Sequence, residues 1–188
     1  MPQENTSNIE LSIIATFHNE GIVAHKTILN IFQLVEPLKK KHISYEIILH
    51  IDKGDPDTLD YIQRYSDNSH VRIFKNSFGD PAESRNFCIS HAKGEYIAIF
   101  DGDDIMSKNW LIDGYRILKD SPEPLVLHAE YSITFGERED PHIWHMSDSR
   151  SDDEDTISMF TRNRWRAGGM MPKKVAAEFP YNKDTNGF

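Results

Sequence analysis

Short apolar runs alternate along the chain with longer segments in which apolar residues recur every three or four positions. The runs are bounded by Gly, Pro, Asp and Asn, as is typical of strands separated by turns and helix starts. The pattern predicts strands over residues 11–16, 45–51, 71–75, 96–100 and 125–135. The run at 96–100 is apolar on both faces, which favours a position inside a parallel sheet.

The segments between these runs are predicted helices, the first of them over residues 22–40, which Pro37 ends or kinks. Asp80 and Pro81 mark the clearest helix start, because Asp is favoured at the N-cap and Pro at the first helical position. The other predicted helix caps and ranges are Asp57 or Thr58, Ser107, and residues 173–179. Strands that alternate with helices in this way favour an α/β fold with a doubly wound, mainly parallel sheet.

Residues 136–155 interrupt the alternation because they are acidic and polar. A loop of this length inside a compact domain is either a functional lid or a surface insertion, and the composition favours neither over the other. A helical pattern returns over residues 156–166.

Composition narrows the class of protein. A chain of 188 residues can bury a core as a single domain, and its net charge of −9 argues against a nucleic-acid-binding surface. The single cysteine, Cys88, allows no internal disulfide and is expected to be a small core residue. No apolar run reaches the ~20 residues of a transmembrane helix, and residues 1–10 lack a signal-peptide pattern, so we expect a cytoplasmic protein.

Three carboxylates follow the apolar run at 96–100 directly, at Asp101, Asp103 and Asp104, with Gly102 among them. Ligands of open α/β sheets bind beyond the carboxyl ends of strands, and clustered carboxylates repel one another unless a cation compensates them. Mg²⁺ and Mn²⁺ prefer such oxygen ligands and often share them with phosphates. Gly102 allows a sharp turn and close backbone approach to a ligand. The segment predicts a metal-diphosphate site, although Asp-Gly-Asp is also ordinary turn chemistry.

Four segments resemble, in order, the motifs of family 2 glycosyltransferases, whose nucleotide-sugar-binding domain has the GT-A fold. They are SIIATFHNE (12–20), IDKGDPD (51–57), SRNFCISHAKGEYIAIFDGDD (84–104) and GGMM (168–171). The third contains the DxD motif of that family. The resemblance extends over residues 11–188 and implies a Rossmann-like GT-A domain that transfers a sugar from a nucleotide-diphosphate sugar to an acceptor hydroxyl, usually with inversion.

The resemblance also implies how the nucleotide is bound. Asp52 would accept a hydrogen bond from the base, and Thr16 and Glu20 would lie near the nucleoside. Arg85 would lie close to the base or the diphosphate. The plainer interpretations are a turn residue for Asp52 and a surface ion pair for Arg85.

The resemblance assigns the metal to the acidic segment. Asp103 would ligate Mn²⁺ or Mg²⁺, and Asp101 would bind the ribose or a metal-bound water. Asp104 would either join them or only cap the following turn. A bound cation would stabilise the departing diphosphate without a proton transfer.

The catalytic base that the resemblance implies is not found in this sequence. It is usually an acid in a Glu-Asp pair shortly after the Gly-rich strand, and only Asp184 stands near that place before Phe188. We therefore expect the base beyond Phe188, with Asp184 as a weak candidate. Residues 1–188 would be one truncated domain, with a donor half over 9–104 and an acceptor-side half over 105–188.

The resemblance favours a UDP-sugar donor, with GDP or dTDP as alternatives, and a glycan or lipid-linked acceptor in polysaccharide synthesis. It allows a location at the inner face of the membrane. Two other function classes stay open. One is a catalytically silent module that binds nucleotide sugars, and the other is a nucleotidyltransferase. The latter would need a Gly-rich, basic loop after the first strand, which residues 16–21 do not supply.

Overall fold

The computed structural model describes residues 9–136, 139–145 and 168–182. The strands in these ranges are β1 (Leu11–Phe17), β2 (Tyr45–Asp52), β3 (Val71–Asn76), β4 (Tyr96–Asp101), β5 (Tyr131–Gly136), β6 (Glu139–His145) and β7 (Gly169–Pro172). The helices are α1 (Ile22–Leu34), α2 (Glu36–Lys40), α3 (Pro56–Gln63), α4 (Pro81–His91), α5 (Trp110–Asp120) and α6 (Lys173–Glu178). None of these helices is long and apolar enough to cross a membrane.

Five strands form one sheet in the order β3-β2-β1-β4-β7. The first four run parallel, and β7 pairs antiparallel with β4. The register sets Thr16 of β1 beside Asp101 of β4, and Phe17 beside Ile51 of β2. The loops that follow these three strands therefore meet at one edge of the sheet, as ligand-binding loops do in open α/β folds. The predicted α/β class and mainly parallel sheet are confirmed.

The sheet is buried on both faces because its central strands are apolar at successive positions, which point to opposite sides. Ile13 and Ala15 belong to the larger core, with α1, α2 and α5, whereas Ile14 belongs to the core under α4 and α6. Cys88 of α4 is fully buried in that second core, and burial raises the pKa of its thiol to about 12. The thiol stays protonated, and the prediction of a small core residue is confirmed.

The predicted fifth strand over residues 125–135 is wrong in extent, and the observed strand does not join the main sheet. Residues 131–136 form β5, which pairs antiparallel with β6 in a separate two-stranded sheet. Leu127 makes only an isolated bridge to Met170, and β7 takes the edge position beside β4. Part of the predicted loop over 136–155 is therefore strand β6. The rest of that loop and the predicted helix over 156–166 lie outside the described residues.

The helix predicted over residues 22–40 is two helices, with Val35 between them. Pro37 lies in the first turn of α2, where its missing N–H costs no hydrogen bond, so it starts a new helix instead of kinking the old one.

Two predicted caps are also corrected. Asp55 caps α3, because its carboxylate accepts from the backbone N–H of Thr58 at 2.8 Å, so neither Asp57 nor Thr58 is the cap. Asn109 is the residue before α5, and Ser107 contributes only its carbonyl, to Trp110 N–H at 2.9 Å. The cap of α4 is confirmed, since the Asp80 carboxylate accepts from two backbone N–H groups of the first turn.

Candidate functional site

A cavity of about 500 Å³ opens at the carboxyl ends of β1, β2 and β4. Among the described residues, its walls contain all the predicted site residues, namely Thr16, Glu20, Asp52, Arg85, Asp101, Gly102 and Asp103. The remaining candidate, Asp184, lies outside the described part of the chain. Residues predicted from separate segments of the sequence therefore meet at one place.

The first acid of the DxD segment is paired with the predicted arginine. Arg85 Nη2 donates to Asp101 Oδ1 at 2.5 Å, and the Arg85 side chain is only 12% exposed. The Asp101 backbone closes a turn with Asp104, since Asp101 N–H donates to Asp104 Oδ2 and Asp104 N–H donates to the Asp101 carbonyl, both at 3.1 Å. Asp104 thus shapes the turn, while the charge of Asp101 is offset by a guanidinium.

Asp103 differs from both of its acidic neighbours. Its side chain is exposed, and within residues 9–136, 139–145 and 168–182 it makes no hydrogen bond and no ion pair. Its charge acts on the carboxylate of Glu20, which has the same sign. Asp103 is therefore the acid of this segment that is free to ligate a cation.

Glu20 is a half-buried carboxylate at the floor of the cavity. Burial raises its pKa, and the charge of Asp103 raises it further, although the His18 backbone N–H donates to Oε2 at 2.7 Å. Gly102 packs against it, because a Cβ there would lie 3.0 Å from Glu20 Cδ and 2.7 Å from the Phe17 ring. Only glycine lets the turn over residues 101–104, the acidic turn, lie this close to β1 and Glu20.

Two side chains of helix α1, one helical turn apart, hydrogen-bond to the backbone of the acidic turn and of the residues after it. Thr27 is fully buried and its Oγ1 donates to the Gly102 carbonyl at 2.9 Å. Asn30 donates to the Met106 carbonyl at 3.2 Å and accepts from the Met106 N–H at 2.9 Å. These three hydrogen bonds fix the backbone on both sides of Asp103. Sequence reasoning missed both residues, because polar side chains in a helix carry no local signal for such contacts.

The carboxylate of Asp52 is already engaged by the loop before α4. Oδ2 accepts from Gly79 N–H at 2.8 Å, Asp80 N–H at 3.2 Å and Ser84 Oγ at 3.3 Å, while Oδ1 accepts only from Gly79 N–H at 3.0 Å. Gly79 has φ +72°, which favours glycine. A carboxylate oxygen has about two acceptor positions, so Oδ1 keeps one for a ligand. The interpretation of Asp52 as a base-binding residue stays a prediction.

Two cavity residues that the sequence did not single out carry basic groups. Lys53 lines the cavity with φ +52°, and its ammonium lies where a Cβ on Gly79 would be. His18 Nδ1 is 2.5 Å from the Asp52 carbonyl, which can only accept, so Nδ1 carries the proton and Nε2 is the remaining ring nitrogen. The positive φ of Lys53 becomes visible only in the structure.

The acids fit a divalent cation only in part. No group of three His, Cys, Asp or Glu side chains placed to hold a metal occurs in the described residues. Asp103 offers free carboxylate oxygens near the carboxylate of Glu20. Carboxylate oxygens are the ligands that Mg²⁺ and Mn²⁺ prefer. The arrangement therefore suits a cation that takes most of its other ligands from a phosphate-bearing substrate and water.

Residues 12–176 match the sequence profile of the family described as Glycosyl transferase family 2. The chain belongs to glycosyl transferase family 2. The predicted family is confirmed, and the match covers both the strand-end cavity and β7.

Curated relatives are similar over about two thirds of the chain. The poly(ribitol-phosphate) β-N-acetylglucosaminyltransferase TarP of Staphylococcus aureus is 26% identical over 126 residues, which is 66% of this chain and 37% of the relative. Glycosyltransferase GlyG of Streptococcus pneumoniae is 29% identical over 125 residues, which is 65% of this chain and 39% of the relative. The chain spans less than two fifths of either relative.

Solved structures of glycosyltransferases share the fold. Staphylococcus aureus TarS 1-349 in complex with UDP superposes with a TM-score of 0.62 at 16% identity, over 90% of this chain and 48% of that chain. The mannosyltransferase PcManGT of Pyrobaculum calidifontis, in complex with GDP-Man and Mn²⁺, gives 0.52 at 19% identity, over 62% of this chain and 34% of that chain. The GT-A expectation for the fold is confirmed.

Proposed function

We propose that this chain binds a nucleotide-diphosphate sugar at the strand-end cavity and takes part in transfer of that sugar to an acceptor hydroxyl. The observation that carries the proposal is that one cavity contains a carboxylate without a partner in the described part of the chain, Asp103, and a buried guanidinium, Arg85. Both groups suit a metal-bound diphosphate, because the carboxylate attracts the cation and the guanidinium binds phosphate oxygens. Membership of glycosyl transferase family 2 supports the same reaction class.

UDP is the nucleotide we favour for the donor. A structural neighbour was solved with UDP, and a relative 36% identical over 67 residues is named for its UDP-Glc donor. GDP stays an alternative because another neighbour holds GDP-Man. In this proposal Asp52 Oδ1 accepts from the base, and Thr16 and Glu20 border the nucleoside.

Mn²⁺ or Mg²⁺ is the cofactor we propose, with Asp103 as its protein ligand. A bound cation supplies Lewis-acid stabilisation to the diphosphate as negative charge develops on it. Other residues of the chain hold the proposed cation site in position. Thr27 and Asn30 hold the turn that presents Asp103, and Arg85 neutralises Asp101, so that only one carboxylate of the pair is left for the cation. Gly102 keeps the turn close to Glu20.

The acceptor is bound in this proposal by the acceptor-side half over residues 105–188. Relatives are named for poly(ribitol-phosphate) and diphosphoundecaprenol acceptors, which supports a glycan or lipid-linked acceptor and work near the membrane. An inverting single displacement needs a general base at the acceptor hydroxyl. Asp184 stays a weak candidate for that base, and a position beyond residue 188 stays the prediction.

Calorimetric titration of UDP, GDP and dTDP, with and without Mn²⁺, tests the donor site. We expect one nucleotide to bind only with Mn²⁺, and Asp103→Ala to weaken that binding by at least about 100-fold through loss of the metal ligand. Asp57→Ala is the matched control, since Asp57 is exposed and lies outside the cavity. Absence of binding by all three nucleotides would contradict the proposal. Tight, Mn²⁺-dependent binding without sugar transfer, even by a longer chain that includes these residues, would favour the silent module.

A further inference from the structure

The segment after α6 is attached to α4 beside the cavity. Asn86 Nδ2 donates to the Tyr181 carbonyl at 2.8 Å, and the Tyr181 N–H donates to Asn86 Oδ1 at 2.9 Å. One side chain thus satisfies both backbone groups of Tyr181, across 95 positions of sequence. This contact fixes where the Tyr181 ring lies, because it holds the backbone on both sides of the Cα atom.

The ring of Tyr181 lies against Arg85, the residue before its anchor. The guanidinium carbon is 5.3 Å from the ring centroid, within the range of a cation–π contact. Arg85 in turn donates to Asp101 at 2.5 Å. Tyr181, Arg85 and Asp101 therefore form a row in which the guanidinium has an aromatic ring and a carboxylate as neighbours.

Arg85 keeps unused hydrogen-bonding capacity in this row. Its side chain is only 12% exposed, and in the part of the chain that the structure describes its one side-chain hydrogen bond is to Asp101. Nε is buried there without a partner. A guanidinium has five N–H donors, so a buried one with a single acceptor is suited to an anion that supplies further acceptors.

We propose that Tyr181 is a positioning residue that fixes the plane of the Arg85 guanidinium for the diphosphate of the donor. This inference rests on the proposed function. A planar fork that is already oriented loses less conformational entropy when it binds phosphate oxygens. The ring orients the plane without competing for its N–H groups, which a second carboxylate would do. The segment after α6 thereby contributes to a site built from the strand ends.

The ionisation state of Tyr181 agrees with this role. Burial raises the pKa of its phenol, Arg85 lowers it, and the nearby Asp101 carboxylate raises it again, with a net rise. The phenol is therefore neutral at physiological pH, and the ring meets the guanidinium through its π face.

A double-mutant cycle on the full chain, read by calorimetry of UDP with Mn²⁺, tests the inference. We expect Tyr181→Leu to weaken UDP binding about three- to tenfold, a loss between those of an exposed and a fully desolvated cation–π contact. Tyr181→Phe keeps the ring and should bind within about twofold of wild type. In an Arg85→Lys background the same Tyr181→Leu change should have little effect, because an ammonium has no plane to orient.

Tyr61→Leu is the matched control, since Tyr61 lies under Arg64 at 4.7 Å and neither residue lines the cavity. It should leave UDP binding unchanged. An equal loss from Tyr181→Leu in both Arg85 backgrounds would contradict the inference, because it would indicate a general effect on the fold. Unchanged binding by Tyr181→Leu would contradict it as well. If the wild-type chain bound none of UDP, GDP and dTDP, the proposed function would fail, and this inference with it.

Discussion

Two carboxylates at opposite ends of the sheet differ in their partners and in the direction in which their pKa values are shifted. Glu46, in the first half of β2, is almost fully buried and accepts from Ser12 Oγ at 2.7 Å, Lys93 N–H at 2.6 Å and Arg72 Nη1 at 2.7 Å. Burial pushes its pKa upward, but these partners bring it below the ordinary value. Among the described residues, Glu20, after β1, accepts only from backbone N–H groups of its own loop, and burial raises its pKa.

The difference separates the scaffold from the site. Both carboxylates are partly removed from water, but within the ranges that the structure describes only Glu46 forms an ion pair, with Arg72, and accepts hydrogen bonds from residues outside its own segment of the chain. At the carboxyl end of the strands Glu20 and Asp103 form no ion pair among the described residues, and the attraction of His18 for Glu20 is outweighed by the effect of burial on the pKa of Glu20. An uncompensated pair of acids in a cavity is unfavourable without a ligand and marks a functional site. The cation that would compensate it is the one proposed for the donor.

Glu46→Gln should have the largest effect on stability. The amide would face Arg72 with an N–H group in place of an acceptor, and we expect a loss of about 2 kcal/mol, below the usual value for a buried pair because Arg72 is 31% exposed. Because the folded pKa is lowered, this stability is present above pH 4.5 and is lost as the pH falls through the folded pKa. Urea unfolding at several pH values measures it.

Glu36→Gln is the control for that variant, since its ion pair with Lys39 has both side chains about half exposed. We expect a change below about 0.5 kcal/mol. An equal loss in the two variants would remove the contrast between a scaffold carboxylate and an ordinary surface one.

Thr27→Val should have an intermediate effect, on both stability and the site. It preserves shape but leaves the buried Gly102 carbonyl without its donor, which costs about 1 kcal/mol. Because that carbonyl belongs to the acidic turn, the variant should hold Asp103 less firmly in position. We therefore also expect the affinity for UDP with Mn²⁺ to fall about threefold. Thr27→Ser restores the hydroxyl and should recover the affinity. A Val variant with unchanged affinity would contradict a positioning role for α1.

Glu20→Gln should have the smallest effect and the opposite sign. Replacing an uncompensated carboxylate at a functional site is expected to stabilise the free chain by about 0.5 kcal/mol at pH 7. Since the folded pKa is raised above 4.5, the wild-type carboxylate is disfavoured once it ionises, so the gain from Gln vanishes as the pH falls toward 4.5. Thermal unfolding across this pH range checks it. A loss of stability at pH 7 would show that Glu20 is compensated after all.

Local patterns were sufficient for the parallel strands and the acidic turn. The apolar run of β4 and the acids that follow it are adjacent in sequence, so the strand and its ligand-binding end could be predicted together. The resemblance indicates a strand at 168–171, but its place at the sheet edge could not be predicted, because β7 has only four residues and is defined by pairing with β4, which lies far earlier in the chain. The alternation in 125–135 indicates a strand but does not reveal its partner.

The contacts that support the site were not predictable for a related reason. Thr27 and Gly102 are 75 positions apart, and Asn86 and Tyr181 are 95 positions apart. A threonine or asparagine in an amphipathic helix has the same local signature whether it faces water or caps a distant turn. The candidate site residues could be predicted because they occupy motif positions. Identifying the residues that hold them in place required the three-dimensional structure.

Thermal unfolding with and without UDP and Mn²⁺ tests the contrast between the two ends of the sheet most directly, in wild type, Asp103→Asn and Glu46→Gln. A ligand that binds only the folded state raises the midpoint. The account predicts that Glu46→Gln unfolds at a lower temperature but keeps the ligand-induced rise. It predicts that Asp103→Asn has a midpoint equal to or slightly above that of wild type but loses the rise. A full ligand-induced rise in Asp103→Asn would contradict it.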